Sequence, residues 1–259
     1  MTPHIEYMLR LGDSSLVLGQ RLAEWTGHGP VLEEDIAMTN IALDLVGQAR
    51  MLLAHAGRLE GADRDEDALA YFRDARAFRN LTLCELPNGD IERGRTQGAC
   101  YAFCVVRNLL FCAWQAQVWA ALANSQDIEL AAIAAKSAKE TAYHLRHASD
   151  WVVRFGDGTA ESHARAQRAI DQLMPYCNEL FATDAVEEAV ATGDIGVRSA
   201  DLKPGWHAQV QAVLEEATLS LPAASAFLSS GKTGLHSEHF EVLLGEMQSL
   251  ARQHPGAQW

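Results

Sequence analysis

The chain has 259 residues, 48% of them hydrophobic and 21% charged, which is ordinary for a globular protein of one large or two small cores. Its formal net charge of -13 argues against nucleic acid and anionic membrane surfaces as partners, since both reward clustered Lys and Arg. An anionic ligand would need a local basic pocket, and no basic run is present.

Nearly every long segment repeats its apolar residues with helical period and none alternates convincingly, so the predicted fold is all-α. The first six residues lack the basic and apolar regions of a signal peptide. The first predicted helix spans 3–25, with Pro3 suited to an early helical position, and Thr26-Gly27-His28-Gly29-Pro30 breaks it. The second spans 32–59, its acidic start at Glu33, Glu34 and Asp35 matching the helix dipole. A shorter helix ending near Phe78 follows a polar stretch, and Leu86-Pro87-Asn88-Gly89 is a turn signal. The third and fourth long helices span 96–123 and 127–155, and Gly156-Asp157-Gly158 stops the fourth.

Accessory helices are predicted near 160–182 and 205–219. A last one starts near Ser237, where Phe240, Leu243, Leu244, Met247 and Leu250 form one apolar stripe. No repeat or linker interrupts the chain, so a single domain, 1–259, is expected. Five cysteines (Cys84, Cys100, Cys104, Cys112 and Cys177) form no Cys-x-x-Cys pair and read as small buried hydrophobes of a reducing cytoplasm.

The third helix is the most informative element. Residues 108–126 are uncharged and long enough to span a membrane. However, Asn108, Gln115, Gln117, Asn124, Ser125 and Gln126 would be costly in lipid, so a protein-buried helix fits better. Leu109, Leu110, Phe111, Trp114, Val118, Trp119 and Leu122 occupy several faces of it. A four-helix bundle covers only a stripe of each helix, so either the C-terminal helices or an apolar interface with a partner must cover the rest.

Residues 93–125 also contain no Asp or Glu. A ferritin-like bundle holds two irons with a lone carboxylate on one helix of each half and a Glu-x-x-His pair on the next. Three-residue spacing puts the pair on one helix face. Glu24 is the candidate lone carboxylate of the first half. In the second helix the nearest match is Asp44-Leu45-Val46-Gly47, where Asp44 is one methylene short and Gly47 cannot ligate. The third helix offers no acid. In the fourth, Thr141 stands three residues before His144, and Glu140 stands four before it. His236-Ser237-Glu238-His239 suggests a metal cluster, but it opens a helix, where Ser and Glu satisfy free backbone groups.

The residues then match a known family. The chain resembles the iron-free, structural C subunits of bacterial phenylacetyl-CoA 1,2-epoxidases, ferritin-like proteins of phenylacetate degradation. The resemblance runs nearly end to end, through Leu9 to Asp13, Ala42 to Arg50, Leu86 to Gly89 and Lys139 to Arg146. Its most specific part is the tail, with Gly231, Lys232, Gly234, His236, Glu238, His239, Glu246, Met247, Gln248 and Trp259. The resemblance implies a ferritin-like four-helix bundle with additional C-terminal helices. It further implies a duplicated subunit whose ligand positions Glu24, Asp44, Gly47, Thr141 and His144 have decayed, with no catalytic or metal-binding residue left. The di-iron centre would then sit in the catalytic A subunit, the expected partner, with the other epoxidase components and the reductase reached indirectly. Self-association is expected when the chain is alone. One rival is a bundle with a reduced metal centre made from Glu24, Asp44, Glu140 and His144; another is a homo-oligomeric scaffold.

Overall fold

The computed structural model describes residues 1–89 and 100–257, and these are all-α, in keeping with the ferritin-like expectation. Helix α1 (Pro3–Ala23) begins where Thr2 accepts the amide of Ile5 at 3.3 Å. Helix α2 (Leu32–Glu60) starts on three acidic residues and stops at Gly61 in the left-handed region, φ 66°. Gly12 lies against Leu52 and Leu53, and Gly19 against Ala42 and Val46, so α1 and α2 pack antiparallel with a close approach at each glycine.

The contacts group the chain into two compact units, Met1–Leu86 with Ser230–Trp259 and Pro87–Ser229. The first unit also holds α3 (Glu66–Tyr71), a 3-10 turn at Ala75–Ala77, α4 (Thr82–Glu85) and, at the far end of the chain, α10 (Phe240–Gln253). One helix running to Phe78 was expected there; two short pieces stand instead. The buried Arg73 explains the break. Its guanidinium pairs with Asp13 of α1, itself fully buried, and donates to the carbonyls of Leu69 and Ala77. Side-chain donors thus stand on carbonyls that a continuous helix would pair with backbone amides.

The second unit is built on α5 (Tyr101–Leu122) and α6 (Ile128–Gly156), joined by a short turn and packed antiparallel. Asp127 caps α6 by accepting the amides of Glu129 and Leu130. Helices α7 (Ala160–Leu173), α8 (Ala185–Thr192) and α9 (Ser199–Glu216) follow, with a 3-10 segment at Met174–Phe181. The expected helix 160–182 therefore changes form at Leu173, where Pro175 removes an amide. Helix α9 starts six residues earlier than the expected Gly205, in spite of Pro204. The buried Glu187 carboxylate accepts both the amide of Ser199 (2.9 Å) and its hydroxyl (3.3 Å), which fixes the start. The predicted third helix began at 96; residues 96–99 lie outside those described.

The question of what covers α5 has a local answer. Leu109, Leu110, Phe111, Trp114, Val118, Trp119 and Leu122 are all at most 5% exposed, and α6, α7 and α9 pack on the helix. The C-terminal elements, not a partner, bury this helix. Trp206 of α9 adds a polar tie by donating to the Leu110 carbonyl at 2.9 Å.

Candidate functional site

The α5–α6 pair carries a row of buried polar side chains in an otherwise apolar interior. Thr141 and His144 share the inner face of α6, 0% and 1% exposed, one turn from the equally buried Ser137. Gln115 faces them from α5, 1% exposed. The Trp119 indole donates to the Thr141 hydroxyl at 3.1 Å, and that hydroxyl donates to the Gln115 side-chain carbonyl at 3.0 Å. Both roles of the hydroxyl are thus filled.

This geometry tests whether two irons fit. A di-iron half-site needs a carboxylate from each of two helices and an imidazole. Helix α5 contains no Asp or Glu from Tyr101 to Leu122, and the position facing Thr141 holds Gln115, an amide with the shape of glutamate and no charge. Thr141 spends its hydroxyl on Trp119 and Gln115. The donor set does not fit a di-iron centre. In α6, Glu140 lies 3.8 Å from Lys136. Gln115 is the buried polar position that the sequence did not single out; it counted only as evidence against a membrane span. Its signal was its spacing from Asn108 and Trp119, seven and four residues away on an otherwise apolar helix.

The first unit holds Glu24, Asp44 and Gly47. Glu24 caps the end of α1, where Arg21 pairs with it at 2.6 Å. The same guanidinium donates to the carbonyls of Glu85 and His239. Glu24, the candidate lone carboxylate, is thus ion-paired here. The hydroxyls of Thr26 and Thr39 meet at 3.1 Å, and Gly19 packs on Ala42 and Val46, which sets Asp44 about one turn away from Glu24 along the pair. Asp44 is half-buried. Gly47 lies on an outward row with the exposed Ile36 and Leu43, and a Cβ built on it meets no atom within 4 Å. A histidine at that position would point away from the packed face of Leu45 and Gln48.

The tail signature is an anchor. Glu85 is fully buried, and its carboxylate accepts from the Ser237 amide (2.6 Å) and the Asn80 side chain (3.1 Å) and sits 2.9 Å from His236 Nδ1. The His236 ring lies against Phe240, centroids 4.1 Å apart. A Cβ on Gly231 would collide with the Asn80 carbonyl, and Gly234 adopts φ 87°. Lys232 is buried, whereas the Glu238 side chain is 89% exposed and Glu246 is exposed. Gln248 donates to the carbonyls of Ala70 and Arg73, both at 3.0 Å. Because residues 236–239 serve this anchor, α10 starts at Phe240 rather than near Ser237. Phe240, Leu243 and Leu244 are buried and Met247 half-buried, but Leu250 is 54% exposed. Gln248 takes the packed place that the stripe assigned to Leu250. Gln258 and Trp259 lie outside the described residues.

None of the five cysteines forms a disulfide, and burial pushes the Cys112 thiol up to about 12 and that of Cys177 higher still. No described helix is long and apolar enough to cross a membrane. A family model for phenylacetic acid catabolic proteins matches residues 1–259. The chain is 45% identical over 253 residues to the C subunit of the 1,2-phenylacetyl-CoA epoxidase of Escherichia coli (strain K12), covering 98% of each chain. The chain belongs to the phenylacetic acid catabolic protein family.

Proposed function

We propose that this chain is a non-catalytic subunit of a cytoplasmic multicomponent monooxygenase that epoxidises the ring of phenylacetyl-CoA, and that it stabilises the di-iron catalytic subunit. The observation that carries the reading is the Trp119–Thr141–Gln115 set, in which polar side chains that α5 and α6 turn toward each other are neutral and bonded to one another. The name of the relative supports membership of an epoxidase. The chain itself carries no cofactor.

Helix α2 offers the surface such a role requires. Leu32, Ile36 and Leu43 are 72%, 51% and 64% exposed and fall on one narrow row that runs to Gly47. A glycine inside a 29-residue helix costs about 1 kcal/mol against alanine. Open space around it lets a second helix approach closely, so we assign the row to a helix of the catalytic subunit. Elemental analysis after iron reconstitution tests the first part of this reading: less than about one tenth of an iron per chain is expected, and near two would refute it. Leu43→Asp tests the second part. It should leave the isolated chain folded and abolish co-purification with the catalytic subunit; an intact complex would remove the α2 row from the interface.

A further inference from the structure

The second unit contains a cavity of about 250 Å³ between the 3-10 segment Met174–Phe181, helix α9 and the non-helical stretch 219–229. Its floor includes Cys177, Phe181 and Trp206, all buried, with the two aromatic rings 5.0 Å apart. Residues 221–224 form the roof.

Two side-chain amides hold that roof up. Gln167 donates to the Ser220 carbonyl and accepts the Ser220 amide, both at 2.9 Å. Asn178 donates to the carbonyls of Ser225 (2.9 Å) and Phe227 (2.8 Å). Pro222 stiffens the span between these pins. An unsupported apolar void of this size would close, because its lining forfeits dispersion contacts. Here the chain is clamped on both sides of the void.

The rim supplies a charge. Lys203 and His207 lie one turn apart on α9, both exposed. The Lys203 ammonium sits 5.8 Å from the Phe181 ring centroid and has no carboxylate partner among the described residues. Asp171 lines the other side, where its carboxylate accepts from Gln167 at 2.9 Å. A ringed apolar floor, a volume above the roughly 150 Å³ that holds benzene, and one unpaired cation define a ligand class. We propose that this cavity binds a small amphipathic monoanion, a single ring or an acyl chain of that bulk bearing one carboxylate, with the body over Phe181 and Trp206 and the carboxylate on Lys203. The site is independent of the epoxidase reading.

Fluorine NMR relaxation of 4-fluorobenzoate, titrated with the full chain, tests it. Saturable binding is expected, weakened at least about tenfold by Lys203→Glu and by Ala224→Trp. Both positions are exposed, and a melting curve confirms that each variant folds. Neutral 4-fluorobenzyl alcohol should bind at least about tenfold more weakly. No saturable binding below about 10 mM, equal binding of the alcohol, or binding indifferent to both substitutions would overturn the assignment.

Discussion

At the scale of single residues, Thr141 ties α6 to α5. Its hydroxyl is acceptor for Trp119 and donor to Gln115 with no exposed surface. Thr141→Val keeps the shape and removes the acceptor of the buried Trp119 indole, at a cost of about 1–3 kcal/mol for the stranded donor. Denaturant unfolding should therefore show a loss of that order, and Thr141→Ser should restore most of it. Equal stability of the Val and Ser variants would mean that the set does not hold the helices together. Cys112 gives a pH dependence whose sign is fixed. Its thiol ionises near 12 in the fold, because burial disfavours the thiolate, against 9.0 for an ordinary cysteine. Above about pH 9 the unfolded chain releases this proton and the folded chain keeps it, so stability falls as pH rises toward 12. Cys112→Ala should flatten that decline in melts taken between pH 8 and about 11. An unchanged slope would exclude this thiol as its source.

At the scale of elements, the sequence period located the four long helices, since α1, α2, α5 and α6 end within a few residues of capping signals such as Asp127 and Gly61. Tertiary contacts decided the rest. Helix α8 was not foreseen because eight residues carry little periodicity; Asp184 caps it by accepting the amides of Val186 and Glu187. Pro204 reads as a breaker, but Glu187 anchors Ser199 upstream of it. Leu250 fits the stripe of α10 by spacing, but Gln248 is bonded to two carbonyls and turns the helix. The tail should matter more than its exposure suggests. Gly231→Ala would drive a methyl into the Asn80 carbonyl, and truncation before Gly231 would leave the Glu85 carboxylate buried without the Ser237 amide and His236. Both variants should melt well below the parent by calorimetry. On α2 the direction reverses: Gly47→Ala should stabilise the isolated chain by about 0.5–1 kcal/mol, since nothing crowds the new methyl. A loss of stability there would show that the row is already covered.

At the scale of the whole molecule, the site was legible mainly as an absence. A helix with no Asp or Glu was visible in the sequence; that Gln115 occupies the facing position, and that Gly47 looks outward, required the packing. The apolar girth of α5 pointed equally to a partner or to the chain's own helices, and α7 and α9 now account for it. An interface with a partner subunit would then use other surfaces, among them the α2 row of exposed Leu32, Ile36 and Leu43. The net charge of -13 makes the approach of an acidic partner dependent on salt screening. The most direct measurement is sedimentation velocity of this chain at micromolar concentration, with and without the di-iron catalytic subunit, with iron assayed across the boundary. A stoichiometric complex whose iron all belongs to the catalytic subunit is the outcome the account requires. A monomer indifferent to the added subunit, or iron sedimenting with this chain alone, would contradict it.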